Sequence, residues 1–291
     1  MEVFLPRTLD EALAMKAAHP EALPLAGGTD VLVDINFGRL RPAGVLDLTR
    51  LAELQAWSRE DGHLVLGAGV PYARIVTELS GFVALVQASR SVGSPQIRNR
   101  GTVGGNLGTA SPAGDALPVL AAYDAGIILR SARATRTVPW NEFLVGPKKT
   151  AIAPDELIQG VRWKVARGPS SFSKIGTRNA MVISVAGLCC VLDEGAQQVR
   201  VALGSVGPTI IRATEAEAFI AAAIKDAGAW ADPAVVLPDD KLREFSEQVA
   251  LAARPIDDVR GTAAYRVHAL KVLARRALNW ALAERRLRRW L

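Results

Sequence analysis

The stretch "GTVGGNLGTASPAGDALPVL", residues 101–120, packs five glycines and two prolines into twenty positions and then runs into an apolar segment. Glycine has no Cβ, so such a stretch contributes few side chains to a core and leaves its backbone N–H groups accessible. We interpret it as a backbone surface that meets a ligand. The rest of the chain must indicate which ligand that is.

A second glycine pair lies near the N-terminus, in "LAGGTDV", residues 25–31. This segment and "TVGGN", residues 102–106, each offer consecutive glycine amides beside short hydroxyl or amide side chains, a combination that suits phosphate oxygens. Either pair alone is more typical of a tight turn. Two of them, in two successive α/β blocks, favour a diphosphate held by both loops.

A third glycine pair, Gly67 and Gly69 in "LGAGVPYA", superficially resembles the start of a dinucleotide fingerprint. Tyr72 occupies the position of the third glycine, and no acidic residue follows at the spacing that would hold a ribose. We interpret this segment as a plain strand-to-helix turn.

The composition is that of a globular chain: 291 residues, 49% hydrophobic and 22% charged. The N-terminus carries Glu2 and Pro6 where a signal peptide would be basic and then apolar, and no apolar run is long enough to span a membrane. We therefore expect a cytoplasmic protein with no membrane span.

The net charge of +6 comes from one segment, since residues 265–291 carry +7 and the remainder carries −1. This segment lacks the interleaved exposed aromatics and the recognisable motif that nucleic-acid binding would need, so we expect no nucleic-acid partner. A solvated helix face or a contact with an acidic partner subunit explains it better.

Metal ligands are scarce in this sequence. Cys189 and Cys190 are adjacent, so on a strand their side chains point to opposite faces, and His19, His63 and His268 are far apart. We predict no metal site here, and any redox metal would have to lie on another chain.

Patterning divides the chain into three predicted blocks: 1–55, 56–167 and 168–291. The first reads as strand, helix and strand, with Thr8 and Glu11 forming a capping box. The second contains helical patterns at 72–79, 82–92 and around "DALPVLAAYDA", followed by a hairpin from Gly126. The third contains a hairpin at 182–207 and closes with helices. The last of these repeats apolar residues at helical spacing: Leu270, Leu273, Ala274, Ala277, Leu278 and Ala281.

Four motifs in this order resemble the FAD-binding (medium) subunit of the molybdenum hydroxylases, a family that includes xanthine dehydrogenase and aerobic carbon monoxide dehydrogenase. They are "AGGTD", "IRNRGTVGGNLGTASPAGDALPVL", "SFSKIGTRNAMVISVA" and "AAYRVHALKVLARRAL". The resemblance implies an α+β, α/β-rich fold. An FAD-binding region of the PCMH or vanillyl-alcohol-oxidase type would form two subdomains, followed by a C-terminal α+β domain of the carbon monoxide dehydrogenase flavoprotein type.

The resemblance also assigns cofactor contacts. Two loops would hold the FAD diphosphate, with further residues continuing along the cofactor: Leu25, Ala26, Gly27, Gly28, Thr29, Asp30 and Val31 in the first loop, Thr102, Val103, Gly104, Gly105 and Asn106 in the second, and then Thr109 and Ser111. Asp115 matches the acidic residue that binds the flavin's sugar-alcohol chain, a role that suits an acceptor-only carboxylate. On sequence alone, Asp115 also suits a helix N-cap.

Two more residues match family positions near the flavin ring: Ile158, in "ELIQGVRW", and Lys174, in "SFSKIG". Core packing is the alternative role for Ile158, and an exposed strand position is the alternative for Lys174. We expect no catalytic residue on this chain.

By the same resemblance, the chain would be an electron-transfer subunit. A large molybdopterin subunit would oxidise the substrate, a small subunit with two [2Fe–2S] clusters would relay electrons, and FAD would deliver them to NAD or another acceptor. The assembly would be a heterotrimer, and a dimer of heterotrimers is the larger form we expect. The alternatives are a self-contained FAD-dependent reductase resembling enolpyruvyl-UDP-sugar reductase and a noncatalytic interaction protein.

Overall fold

The computed structural model describes residues 1–287, which form helices and strands in mixed order. The helices are α1 (Leu9–Ala18), α2 (Val31–Asn36), α3 (Tyr72–Glu78), α4 (Val83–Ser91), α5 (Pro95–Arg100), α6 (Val103–Thr109), α7 (Ala116–Ala122), α8 (Trp140–Phe143), α9 (Thr214–Asp226), α10 (Asp239–Leu251) and α11 (Ala263–Leu287). The strands are β1 (Glu2–Phe4), β2 (Leu23–Leu25), β3 (Gly44–Asp47), β4 (Trp57–Glu60), β5 (His63–Gly67), β6 (Gly126–Arg130), β7 (Thr135–Pro139), β8 (Leu144–Gly146), β9 (Lys149–Thr150), β10 (Leu157–Lys164), β11 (Ser170–Ile175), β12 (Ala186–Asp193), β13 (Gln198–Gly204) and β14 (Ile211–Arg212).

These elements group into two compact units that interleave along the sequence. The first comprises residues 1–78, 93–111 and 124–164, and the second comprises 79–92, 112–123 and the chain from 165 onward. The division of the sequence into three consecutive domains, at 1–55, 56–167 and 168–291, stays a prediction.

The first unit contains a parallel sheet in the order β1-β3-β2 and an antiparallel sheet in the order β4-β5-β10-β6-β7. Helix α1 begins as predicted, because Thr8 Oγ1 accepts a hydrogen bond from the Glu11 amide at 3.2 Å. Leu9 and Leu13 of α1 are buried with Leu46 of β3 in one apolar cluster. The predicted hairpin after Gly126 is confirmed by the antiparallel pairing of β6 with β7.

The second unit is built on the antiparallel sheet β11-β12-β13-β14. Helices α9 and α11 pack on this sheet, as do α4 and α7. All eight residues of β12 are buried, so both faces of the strand are covered, and this explains the apolar run from Ala186 to Leu192. The predicted hairpin is confirmed by the pairing of β12 with β13.

The basic C-terminal segment is only partly a solvated face. Arg266 and Arg285 of α11 are buried, and Arg266 donates hydrogen bonds to the carbonyls of Val185 and Ser205 and to Asp258. Lys271 and Arg275 pair with acidic residues of α10. The apolar stripe predicted from Leu270 to Ala281 is confirmed, because every one of its residues is buried. Arg288 and Arg289 lie outside the described residues.

No helix within residues 1–287 combines the length and apolar character needed to cross a bilayer.

Both cysteines are buried free thiols on β12. Cys190 packs in the cluster under α9–α11 with Leu188 and Leu192, whereas Cys189 lies on the opposite face of the strand, as the sequence predicts. Burial raises the pKa of Cys190 to about 12 and that of Cys189 well above its ordinary value.

Because a thiolate is the reactive form, we expect neither cysteine of the folded protein to react with iodoacetamide at mildly alkaline pH. Both should react once guanidinium unfolds the chain. Mass spectrometry of the labelled protein measures this, and rapid labelling of native protein would contradict the burial of β12.

Candidate functional site

The first glycine loop connects β2 to α2 in the first unit. Gly28 has φ +75°, a conformation that glycine adopts without penalty. A Cβ added to Gly27 would lie 2.1 Å from the carbonyl oxygen of Arg100 and 2.9 Å from the Cα of Gly101. Only glycine fits at position 27, because the loop packs directly on the backbone that enters α6.

The amides of this loop are available. Among residues 1–287, no group accepts a hydrogen bond from the N–H of Ala26, Gly27, Gly28, Thr29 or Asp30. Four of these residues are half-buried, and Asp30 is exposed. A run of accessible amides with no internal partner can donate to a ligand, and an anion with several oxygens suits it.

The second glycine segment is a helix, not the open loop that the sequence suggested. Thr102 is the N-cap of α6, and its Oγ1 accepts from the Gly105 amide at 2.9 Å. The Gly104 amide donates to the carbonyl of Ala68 at 3.1 Å, and a Cβ at position 104 would lie 2.5 Å from the Ala68 Cβ. Gly104 therefore permits close packing, and neither glycine amide is free.

Gly105 has a different environment from Gly104. A Cβ placed on Gly105 would meet only Thr102 Oγ1, at 3.3 Å, among the described residues. The first turn of α6 thus has one open face, which lies at Gly105.

The two glycine segments lie side by side in one unit, whereas the sequence placed them in two successive blocks. Besides the packing of Gly27 on Arg100, Thr109 Oγ1 at the end of α6 donates to Asp30 Oδ2 at 2.9 Å. Ser111 follows α6 by two residues.

Ile158 also reaches this region. It lies on β10, where the register shifts between Ile158 and Gly160, and its Cδ1 is 3.8 Å from the Cβ position of Gly108 in α6. The bulge aims this half-buried side chain at α6.

One buried polar atom in the same segment has no partner. Asn106 Oδ1 is buried and accepts no hydrogen bond from residues 1–287. Unsatisfied buried acceptors are rare in folded proteins and point to a missing donor. A hydroxyl group of a bound cofactor would supply such a donor.

In the second unit, Asp115 and Lys174 form a buried ion pair. Lys174 Nζ lies 2.6 Å from Asp115 Oδ2, with side-chain exposures of 12% and 7%. Ser91 Oγ donates to Asp115 Oδ2 at 2.9 Å, and Ser184 Oγ donates to Oδ1 at 2.7 Å. Asp115 stands at the N-cap position of α7, but its side chain does not cap that helix. Sequence reasoning missed Ser91 and Ser184, because two isolated serines carry no local signal.

Lys174 is not an exposed strand lysine. Besides Asp115, its ammonium donates to the carbonyls of Ser91 at 3.0 Å and Val182 at 2.9 Å. These three acceptors use all three of its N–H groups. The lysine therefore ties the segment before β12 to the end of α4.

The donor set around the first loop fits the diphosphate of FAD. The five free amides suit phosphate oxygens, the open face at Gly105 admits a ligand, and the orphaned Asn106 oxygen suits a hydroxyl. Within residues 1–287, no group of three or more His, Cys, Asp or Glu side chains is placed to hold a metal ion.

Comparison with known proteins identifies both regions. Residues 1–163 match the family described as the FAD binding domain in molybdopterin dehydrogenase, and residues 171–281 match the CO dehydrogenase flavoprotein C-terminal domain. The xanthine dehydrogenase FAD-binding subunit of Escherichia coli O157:H7 is 31% identical, over 95% of this chain and 94% of its own. The nicotinate dehydrogenase FAD-subunit of Eubacterium barkeri is 36% identical, over 64% of this chain and 66% of its own.

Among solved structures, carbon monoxide dehydrogenase from Hydrogenophaga pseudoflava has a chain that superposes with a TM-score of 0.83 at 24% identity. The match covers 97% of each chain. It confirms the predicted mixed helix-and-sheet fold.

The buried ion pair generates a stability prediction. Lys174→Met leaves the Asp115 carboxylate buried without its cation, so we expect the free energy of unfolding to fall by about 3 kcal/mol. Urea unfolding at neutral pH measures it. Lys174→Met combined with Asp115→Asn removes the uncompensated charge and should recover much of the loss. Lys225→Met, at an exposed position, is the control. Equal stability of Lys174→Met and the native protein would show that the pair is not energetically coupled.

Proposed function

The chain belongs to the family of FAD-binding subunits of molybdopterin-dependent dehydrogenases, and we propose that it passes electrons through FAD from a partner's iron–sulfur clusters to NAD or another acceptor. It is an oxidoreductase subunit with FAD as its cofactor. When bound, FAD supplies the redox chemistry, and the protein supplies binding and orientation. The observation that carries the proposal is the run of free amides from Ala26 to Asp30 beside α6.

Within the first unit, the residues of the β2–α2 loop would hold the diphosphate through their amides. Leu25 and Val31 end the flanking strand and begin the flanking helix, and so fix the two ends of the loop. Asp30 accepts from Thr109, and this bond ties the loop to the end of α6. Asn106 would accept a hydrogen bond from a cofactor hydroxyl through its orphaned Oδ1. Ile158 would offer an apolar contact.

In the second unit, Asp115 would accept a hydrogen bond from the flavin's sugar-alcohol chain. A carboxylate has about four acceptor positions, and the native hydrogen bonds leave one on Oδ1. Lys174 is proposed to lie near the flavin. Because its charge is paired with Asp115, we expect its influence there to come from holding Asp115 in place.

The partners we propose are a small iron–sulfur subunit and a large molybdopterin subunit, assembled as a dimer of heterotrimers. The molybdopterin and [2Fe–2S] cofactors would belong to those partners. We also propose that the protein is located in the cytoplasm.

The proposal that this chain binds FAD while a partner oxidises the substrate can be tested on the isolated chain. We expect the purified chain to bind FAD and to oxidise neither purines, nicotinate-like heterocycles nor carbon monoxide, because those reactions require the partner's cofactor. The measurements are flavin absorbance and anaerobic dye-reduction assays. Substrate oxidation by the single chain would favour a self-contained flavoenzyme.

The open face of α6 yields a second test, in which two glycines of one helix are exchanged for alanine. Gly108→Ala should keep or raise stability, by about 0.5–1 kcal/mol, since alanine favours helices and the added Cβ makes only an ordinary contact. Gly105→Ala gains the same helix preference, but its Cβ would lie 3.3 Å from the capping oxygen of Thr102, so we expect its stability to stay within about 1 kcal/mol of the native value. Only Gly105→Ala should weaken FAD, by about tenfold or more, because its methyl group stands on the face that the ligand would approach. Fluorescence titration with FAD measures both affinities. Equal affinities would place the cofactor away from this turn.

A further inference from the structure

Ser184 is a buried serine in the segment 176–185, between β11 and β12 of the second unit. Its Oγ donates to Asp115 Oδ1 at 2.7 Å, and the residue is 3% exposed. A hydroxyl carries one proton, so this bond uses the whole donor capacity of Ser184. Among residues 1–287, no other group donates to Asp115 Oδ1.

The other oxygen of this carboxylate, Asp115 Oδ2, is held differently. It accepts from Lys174 Nζ at 2.6 Å and from Ser91 Oγ at 2.9 Å. The Ser91 hydroxyl also lies 2.7 Å from the carbonyl oxygen of Ala88, so two acceptors share its single proton. Contacts to Oδ2 alone would let the carboxylate turn about that oxygen. Ser184 is therefore the group that fixes Oδ1, the oxygen with a free acceptor position.

The backbone is anchored on both sides of Ser184. On one side, the carbonyl of Val182 accepts from Lys174 Nζ at 2.9 Å. On the other side, the Val185 amide donates to the carbonyl of Ile175 at 2.8 Å. The segment is thus held within two residues of Ser184 in each direction, at the point where it meets the carboxylate.

Arg266 of α11 adds a further anchor to the same segment. Its Nη1 donates to the Val185 carbonyl at 2.7 Å, and its Nη2 donates to Asp258 Oδ1 at 2.7 Å. Arg266 is 3% exposed, so little water competes for these bonds. A hydroxyl on so restrained a backbone can fix the orientation of the group that it contacts.

We propose that Ser184 is a positioning residue for the cofactor: its hydroxyl fixes Asp115 Oδ1 so that the free acceptor position of this oxygen is presented to a hydroxyl of the ribityl chain. Two donors fill Oδ2 and Ser184 fills one of the two positions on Oδ1, so a ligand hydroxyl has a single position at which to donate. Ser184 acts through Asp115 and does not itself need to touch the cofactor. The inference rests on the proposed function, in which Asp115 accepts from the flavin's sugar-alcohol chain.

The test measures how well the chain recognises one ligand hydroxyl. The full chain is titrated with FAD and with three FAD analogues, each lacking one hydroxyl of the ribityl chain, and flavin fluorescence reports the affinities. The native chain should bind one analogue at least about tenfold more weakly than FAD, because a hydrogen bond to a charged acceptor is lost. In Ser184→Ala this ratio should fall below about threefold, since Oδ1 is no longer held. A purely structural role would weaken FAD and the analogue equally and leave the ratio unchanged.

Two serines provide matched controls. Ser246→Ala removes another buried hydroxyl of the second unit, which donates within α10 to the Arg243 carbonyl, and it should change neither FAD affinity nor the ratio. Ser91→Ala removes a donor to Oδ2, where Lys174 remains, and it should keep the ratio within about twofold of the native value.

Ser184→Cys provides a second variant if the alanine variant does not fold. A thiol has about the size of the hydroxyl group but is a weak donor, so the ratio should fall as it does in Ser184→Ala. A native-like ratio in the folded Ser184 variants would overturn the positioning role, and so would an equal loss of the ratio in Ser91→Ala. A native chain that binds FAD and all three analogues alike would refute the contact between Asp115 and the ribityl chain, and with it this inference, while FAD binding itself stands. A native chain that binds no FAD would refute the proposed function.

Discussion

The first unit depends on one close approach between two backbones. At Gly27 any side chain would overlap the Arg100 carbonyl, so the β2–α2 loop can lie against the entry to α6 only if that position stays glycine. This contact lies beside the hydrogen bond of Thr109 to Asp30, and the loop's amides have no acceptor among residues 1–287. The glycine thus contributes no donor of special strength. It permits a geometry in which several ordinary donors remain unused, and those donors are what an anionic cofactor needs.

The second unit contains a different constraint, which is a carboxylate buried within it. Asp115 is compensated by the Lys174 ammonium and by hydroxyl donors from Ser91 and Ser184. These groups come from α4, β11 and the segment between β11 and β12, and Ser91 of α4 is distant in sequence from the other two. Removal of a charged partner from such a pair is costly because the remaining charge loses its compensation in a poorly polarisable interior. The same arrangement holds the orientation of the carboxylate.

Sequence reasoning succeeded where the signal is local or periodic. The capping residue Thr8, the β12–β13 hairpin and the apolar stripe of α11 are each encoded within a few turns or one hairpin, and all are confirmed. It was wrong about "TVGGN", because glycine content predicts a loop, whereas the Thr102 cap and close packing on Ala68 stabilise a helix there. It missed the partners of Asp115, since three-dimensional proximity of distant residues leaves no pattern in one sequence. The roles assigned to the site residues through family resemblance stay predictions.

The glycine content of helix α6 lowers the intrinsic stability of that helix. Three of its seven residues are glycine, and each costs about 1 kcal/mol relative to alanine in a helix interior. An isolated helix of this length and composition would not persist in water. The helix is therefore stabilised by tertiary contacts, such as those of the buried side chains of Val103 and Leu107. A segment of this kind opens locally before the rest of the fold, and any ligand that binds only its ordered form suppresses that opening by mass action. Under the proposed function, the resistance of the chain to proteases would therefore depend on the supply of cofactor.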